Sequence, residues 1–260
     1  MKDGHVFSHS QIETFEGCPK RYAFRYVRRA KSKKPPGIEG YMGTRVHAVA
    51  ERTFHHVAHH NKIPALSQLL DVYTAEWDSE RPKAGLFIAR KGMDEASYRA
   101  TGARSLGRFR DLISSGRVDP RPAGVERVVD FTIGGRPFTG VIDYLGPDVV
   151  GGVEIRDWKT GKPKTQAEAQ VDRQLALYEI GLRQTYPAGT EFKLVHEYLA
   201  NGLTITTTRT PEQLDLVHSK TFATVEAIER AASAGSWPAR PSPLCNWCDW
   251  SDTCPESRAR

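Results

Sequence analysis

The spacing of the four cysteines constrains this chain more than any other feature. Cys18 stands alone near the start, whereas Cys245, Cys248 and Cys254 lie close together near the other end. Thiolates in a C-x2-C-x5-C cluster can converge on one metal centre, and both zinc sites and iron–sulfur clusters usually take four protein ligands. Because Cys18 is the remaining cysteine, the sequence predicts a metal centre that ties the N-terminal region to the C-terminal region.

Two disulfide bridges are the alternative use of four cysteines. Residues 1–10 contain Lys2 and Asp3 but no apolar stretch, so we expect no signal peptide and a cytoplasmic protein. Thiols stay reduced in that compartment, which favours a metal over disulfides. We expect no membrane span, because no segment approaches about 18 consecutive apolar residues. The spacing alone leaves zinc and iron–sulfur both open.

Composition sets wide bounds on size and partners. The 260 residues, of which 39% are hydrophobic, suffice for one domain of about 200 residues with a small appendage. The formal net charge of +6 permits a polyanionic partner without requiring one.

A basic segment follows the first cysteine, and its cationic residues alternate with Tyr22, Phe24 and Tyr26. The cations are Lys20, Arg21, Arg25, Arg28, Arg29, Lys31, Lys33 and Lys34. Phosphates attract positive charge and bases stack on aromatic rings, so the segment predicts contact with a DNA strand. The alternative is an amphipathic helix with a solvated basic face, and this segment alone favours neither.

Apolar periodicity and turn residues predict helices first and a β-meander afterwards. Ser10 and Glu13 fit a capping box. Gly134-Gly135 and Asn201-Gly202 predict two-residue hairpin turns. The expected helices cover residues 10–26, 43–60, 66–78, 94–114, 166–186 and 211–234, and the expected strands cover 125–133, 137–145, 150–158, 191–200 and 203–209. This order predicts an α/β fold with a mixed sheet flanked by helices.

Two carboxylates and an ammonium group fall at the ends of neighbouring predicted strands. Asp143 lies near the end of the second strand, and Asp157 and Lys159 share one face at the end of the third. Gathering these charges is costly unless a cation joins them. A magnesium or manganese ion would do so, and it would carry waters able to attack a phosphodiester. The alternative is structural: Asp143 as a turn cap and Lys159 as part of an ordinary strand exit.

Six parts of the chain, in this order, carry recognisable motifs: Phe7 to Ile12 with Cys18 to Tyr22, Gly43 to His47, Gly140 to Asp143, Asp157 to Gly161, Gln174 to Tyr178, and Cys245 to Cys248 with Cys254-Pro255. Together they resemble the RecB-type branch of the PD-(D/E)xK nuclease superfamily. That branch includes CRISPR-associated RecB-like nucleases and helicase–nuclease subunits with an iron–sulfur staple. The resemblance runs through nearly the whole chain.

The resemblance implies a restriction-endonuclease-like core over residues 43–234, with a helical insertion at about 62–120. An N-terminal helix bearing the first cluster cysteine would cover 1–42, and a cluster segment would cover 235–260. It also implies the site: a 4Fe-4S cluster held by the four cysteines, magnesium or manganese held by His47, Asp143 and Asp157, and catalytic roles for Asp143, Asp157, Lys159, Gln174 and Tyr178.

Several of these residues have plainer interpretations. By position alone His47, one of nine histidines, is an ordinary helix histidine. Glu126 is a secondary ligand candidate, but we expect it to be an exposed partner of Arg127 or Arg136. Glu154 should be structural. The Trp158 side chain should pack in the core while its carbonyl is available to a metal, and Trp247 and Trp250 should shield the cluster.

We therefore expect a metal-dependent DNA nuclease, acting as an exonuclease on single-stranded DNA or DNA ends. Repair, recombination, phage replication and CRISPR adaptation are the pathways that the resemblance implies. Because the sequence lacks a G-x4-G-K-[S/T] loop, unwinding would come from a partner helicase or from other recombination or CRISPR proteins. The alternatives are a non-catalytic DNA-end or partner-binding module and a zinc-stapled DNA-binding protein, but the latter leaves the carboxylates unexplained.

Overall fold

The computed structural model of the chain describes residues 4–148 and 151–257. At its centre lies a mixed sheet of five strands: β1 (Gly124–Ile133), β2 (Arg136–Pro147), β3 (Val153–Lys159), β4 (Phe192–Tyr198) and β5 (Leu203–Thr207). The strands lie side by side in chain order, and β3 and β4 are parallel while the other neighbours are antiparallel. The predicted mixed sheet flanked by helices is confirmed. The predicted first residue of the third strand, Val150, lies outside the described residues, as do 1–3 and 258–260 of the predicted end regions.

The two predicted hairpins differ in outcome. Ile133 pairs with Arg136, so Gly134 and Gly135 form the predicted two-residue turn, and both have positive φ. The second prediction is wrong, because Tyr198 pairs with Leu203 across a four-residue loop. Leu199, the residue after β4, does not pair with β5; its N–H donates to the Lys159 carbonyl at 2.8 Å and extends the β3–β4 pairing instead.

The predicted single helix over residues 10–26 is wrong. The chain forms α1 (His9–Gly17), α2 (Pro19–Tyr22) and a π-helical turn at Ala23–Val27. Cys18 between the first two is extended, with φ −164° and ψ 109°. It precedes Pro19, and a residue before proline disfavours the helical conformation. The start of the helix also differs from the predicted capping box. Because α1 begins at His9, Ser10 lies inside it, and Ser8 occupies the N-cap position without a side-chain hydrogen bond.

Three longer helices cover one face of the sheet. They are α3 (Ile38–His60), α4 (Leu66–Ser79) and α5 (Glu95–Ser114). The first begins five residues before the predicted start because Tyr41 and Met42 are buried and extend its apolar face. Tyr144 of β2 and Trp158 of β3 join the core that these helices form. The predicted helical insertion thus packs against the sheet.

The other face carries α7 (Arg173–Arg183) and α8 (Pro211–Ala234), together with α1. The predicted single helix over residues 166–186 is wrong, because α6 (Gln166–Gln170) ends before α7 begins. Asp172 separates them: its side chain accepts the Leu175 N–H and so starts a new helix.

The N-terminal segment joins the sheet directly. The Phe7 N–H donates to the Pro137 carbonyl at 2.9 Å, and the Phe7 carbonyl accepts the Thr139 N–H at 2.8 Å. A short 3-10 helix at Pro243–Trp247 follows α8. Among the described residues, no helix is both long enough and apolar enough to cross a lipid bilayer.

Candidate active site

Three strands and two helices bring the predicted site residues together near the carboxyl end of β3. The contributing side chains are His47 from α3, Glu126 from β1, Asp143 from β2, Asp157 and Lys159 from β3, and Gln174 and Tyr178 from α7. Residues separated by more than a hundred positions therefore lie together at one polar site.

His47 lies between two carboxylates and the backbone of β3. Its Nδ1 is 3.6 Å from Asp143 Oδ2 and 3.7 Å from Glu126 Oε1, and its Nε2 is 2.8 Å from the Trp158 carbonyl oxygen. The Trp158 N–H in turn donates to Asp143 Oδ2 at 2.8 Å. The backbone of Trp158 thus fixes both the imidazole and one carboxylate.

A second set of contacts surrounds Asp157, whose side chain is almost fully buried. Lys159 Nζ lies 3.0 Å from Asp157 Oδ1 and 2.8 Å from its Oδ2. Gln174 Nε2 donates to Asp157 Oδ1 at 3.0 Å, and Gln174 Oε1 accepts from Lys159 Nζ at 3.0 Å. Gln174 Nε2 also lies 3.2 Å from the Tyr178 hydroxyl. The first turn of α7 is therefore bonded to the end of β3.

The expectation that Glu126 pairs with Arg127 or Arg136 is wrong. Glu126 faces His47, and Arg136 instead pairs with Glu229 at 2.9 Å. Glu126 also has a left-handed backbone, with φ 45°. Such a conformation is uncommon in residues other than glycine and clusters at functional sites. The register of the β1–β2 hairpin explains why Glu126 belongs to the site. Val125 pairs with Tyr144 and Arg127 pairs with Ile142, which puts Glu126 opposite Asp143.

The crowding of charges shifts the proton affinity of these groups. Burial raises the pKa of Asp143 to about 7, and the neighbouring charge of Asp157 adds to the effect. For His47, burial works to lower the pKa, but Glu126, Asp143 and Asp157 together outweigh it and raise the pKa to about 9. In the metal-free protein the imidazole is therefore a cation at neutral pH.

Lys159 also stays protonated. Burial works to lower its pKa, but the Asp157 carboxylate outweighs burial and raises it. Tyr178 is the opposite kind of group, since burial raises its pKa to about 12 and keeps the hydroxyl neutral. The site thus combines an ammonium group held in place by Asp157 with a neutral hydrogen-bonding hydroxyl.

The donor set suits a hard divalent cation. His47, Glu126 and Asp143 each offer one ligand atom, and these atoms lie within 4.8 Å of one another. Magnesium and manganese prefer carboxylate oxygens, and a cation at this point would remove the repulsion that raises the Asp143 pKa. Asp157, bonded to Lys159 and Gln174, lies beside this group.

The four cysteines line one cavity between the two ends of the chain. The Arg240 N–H donates to Cys18 Sγ at 3.4 Å, and the Ser242 N–H to Cys245 Sγ at 3.5 Å. All four lie within the described residues, and no disulfide joins any two of them. Burial raises the pKa of the Cys248 thiol. The cavity therefore gathers the predicted ligands around one space, although their sulfurs do not form a tight single-ion group like that of His47.

Aromatic rings near this cavity are placed differently from the prediction. Tyr22 and Phe24 are buried and stack on Trp237 and Trp250 respectively, so neither can stack on bases. Trp247 does not shield the cysteines, because its side chain is 56% exposed, whereas Trp250 is buried.

The basic residues of this segment fall into two groups. Lys20 pairs with Glu256 at 3.4 Å, and Arg21 lines the cysteine cavity. Lys34 is half-buried and lies 3.7 Å from Asp252, whereas the remaining five are exposed to solvent: Arg25, Arg28, Arg29, Lys31 and Lys33. The exposed group is the one accessible to a DNA strand, although the Arg25 and Arg28 guanidinium groups lie over the rings of Tyr26 and Phe24.

Comparisons with known proteins agree with this geometry. Residues 6–255 match the family model described as the PD-(D/E)XK nuclease superfamily, and the chain belongs to that superfamily. Its structure is similar to that of a candidate exonuclease from Eubacterium rectale, with a TM-score of 0.56, 13% sequence identity and coverage of 95% of this chain and 88% of that one. The protein SSO0001 matches with a TM-score of 0.35 and 14% identity, over 91% of this chain and 93% of that one. No curated protein matches the chain.

Because the ligands hold protons, we expect metal affinity to depend on pH. Binding Mn²⁺ must displace a proton from His47, whose pKa is about 9, and below about pH 7 a second one from Asp143. Affinity should rise from pH 6 to pH 9, steeply at first and less steeply above 7. Calorimetric titration with Mn²⁺ measures this. His47→Gln should reduce the steepness below pH 7 to about half, because one of the two displaced protons is gone. Equal affinity at pH 6 and 8.5 in the unaltered protein would contradict the assignment.

Proposed function

We propose that this protein is a RecB-type, metal-dependent DNA exonuclease that hydrolyses phosphodiester bonds in single-stranded DNA or at DNA ends. The observation that carries the proposal is the convergence of His47, Glu126 and Asp143 beside the bonded trio Asp157, Lys159 and Gln174. A binding module has no need for buried carboxylates that repel each other. The name of the Eubacterium rectale structure agrees with exonuclease activity.

His47, Asp143 and Asp157, with Glu126 added, would hold magnesium or manganese. When bound, such an ion supplies Lewis-acid activation of water and of the scissile phosphate. Lys159, protonated and anchored to Asp157, is suited to orient the water and to offset the charge that develops on the phosphate oxygens. Gln174 holds the lysine in place, and Tyr178 is suited to bond a phosphate oxygen through its neutral hydroxyl.

The same proposal assigns a 4Fe-4S cluster to Cys18, Cys245, Cys248 and Cys254. In such a cluster each thiolate binds a different iron, so its ligands surround a volume and do not crowd around one ion. The shared cavity and the backbone N–H groups directed at two of the sulfurs suit this arrangement. The protein would act in the cytoplasm, with a helicase or other recombination or CRISPR proteins supplying its DNA.

Removing a carboxylate should abolish cleavage without abolishing DNA binding. Asp157→Ala and Asp143→Ala each take a charged oxygen from the site, and they also reduce repulsion from phosphates. We expect a loss of cleavage rate of about a hundredfold to a thousandfold, on the order seen when a catalytic electrostatic group is lost, and equal or tighter binding of end-labelled DNA. Asp130→Ala, at an exposed position of β1, is the matched control. Wild-type rates in both site variants would refute the assigned site.

The exposed basic residues should contribute to strand binding. Replacing Arg25, Arg28 and Arg29 with Gln should weaken binding to a single strand. It should also reduce the slope of log affinity against log salt by about 0.7 for each phosphate that the variant no longer neutralises. Arg230→Gln, at an exposed position of α8, should leave the slope unchanged. If the triple variant keeps the wild-type slope, these arginines form only a solvated face.

Losing one cluster ligand should separate the two chain ends. We expect Cys18→Ala to lose visible absorption, iron and acid-labile sulfide, and to become protease-sensitive at both ends, because the cluster closes a loop of more than two hundred residues. Anaerobic purification followed by metal analysis tests this, with Cys18→Ser as a second variant of similar size. One zinc per chain without visible absorption would refute the iron–sulfur assignment and leave the nuclease site standing.

A further inference from the structure

A buried polar cluster lies beside the active site, between β4 and the helices α6 and α7. His196 of β4 is in register with Asp157 in the parallel pair, so the two residues are neighbours on the same sheet face. His196 is fully buried, and its Nε2 lies 3.4 Å from Asp172 Oδ1. None of the motifs that point to nuclease chemistry includes either residue.

Asp172 connects three parts of the chain. Its Oδ1 accepts the Leu175 N–H at 3.3 Å, which caps α7. Its Oδ2 accepts from Lys164 Nζ. Arg209 Nη2 donates to the Ala169 carbonyl at 2.7 Å and lies 3.4 Å from the carbonyl of Asp172 itself, which fixes the backbone on either side of the break between α6 and α7.

Each connected part carries or flanks a proposed catalytic group. The first turn of α7 carries Gln174, which is bonded to both Asp157 and Lys159. Residues 160–164, which end at Lys164, directly follow Lys159. The strand β4 flanks Asp157. A shift of Asp172 would therefore change the position of Gln174 relative to Lys159.

Asp172 differs from the caps of α5, α6 and α8 in being buried. Those caps, Asp94, Thr165 and Thr210, are all exposed to solvent. Burying a carboxylate is costly unless its partners compensate, and Asp172 is only 8% exposed. The Lys164 ammonium group compensates its negative charge. The contacts with His196 of β4 and with the Leu175 N–H of α7 hold the side chain between these two elements.

From this geometry we infer that Asp172 is a positioning residue for the nuclease reaction: it holds the first turn of α7 against β3 and β4 and thereby keeps Gln174 between Asp157 and Lys159. The inference rests on the proposed function, since it concerns the same site. Asp172 lies outside the nuclease motifs, and its effect on the reaction passes through Gln174.

The test is a double-mutant cycle with Asp172→Asn and Gln174→Ala. Asparagine caps helices as well as aspartate does, so this change removes the charge and keeps the cap. We expect kcat to fall about tenfold to a hundredfold, as for a misplacement of about 1 Å, with KM for DNA and the affinity for Mn²⁺ changed less than about twofold. In the Gln174→Ala background, Asp172→Asn should cause no further loss, because the group through which it acts is already absent.

Asp94→Asn is the matched control, because Asp94 caps α5 in the helical insertion in the same way. It should leave kcat unchanged. If Asp172→Asn does not fold, Lys164→Gln replaces it in the cycle, since the Lys164 side chain is 40% exposed. The inference is overturned if a folded variant keeps wild-type kcat or if the losses from the two substitutions simply add. A wild-type protein that cuts no DNA under any metal condition overturns the proposed function itself.

Discussion

The repulsion between Asp143 and Asp157 is the constraint around which this structure is organised. Two adjacent strands bring both carboxylates to one buried place, where burial and the charge of Asp157 raise the pKa of Asp143. The neighbouring side chains compensate this repulsion. His47 of α3 lies beside Asp143, and Lys159 and Gln174 bond to Asp157. A hard divalent ion bound by His47, Glu126 and Asp143 would add to this compensation.

Trp158 links this polar site to the apolar core. Its ring packs with Phe54, Phe109 and Tyr144 on the helical side of the sheet, while its N–H and carbonyl contact Asp143 and His47. Core packing therefore sets the backbone position from which two proposed metal ligands are held. Substitutions of Phe54 or Phe109 would therefore change the position of the Trp158 backbone, and with it the site, although neither ring contacts the site directly.

The sequence was sufficient for the sheet and for the residues at its edge, because strand periodicity and the Gly134-Gly135 turn are local signals. It was insufficient where tertiary contacts decide. The break before Pro19 follows from local sequence, whereas the break at Asp172 also involves His196 and Arg209, which are distant in sequence. The position of Glu126 depends on the β1–β2 register, which neighbouring charges in the sequence do not indicate. Local sequence does not indicate the burial of Tyr22 and Phe24, because their partners Trp237 and Trp250 lie more than two hundred residues later.

The pairing of Phe7 with β2 has a consequence for the order of assembly. Phe7 stacks on Phe138 and bonds to the backbone at Pro137 and Thr139, while Cys18 lies beside Arg240. Phe7 and Cys18 are synthesised long before the residues that they contact, and contacts so distant in sequence form slowly. On the ribosome the cysteine cavity cannot close until Cys254 has emerged, so the nuclease core is fully synthesised before its two flanking segments can meet.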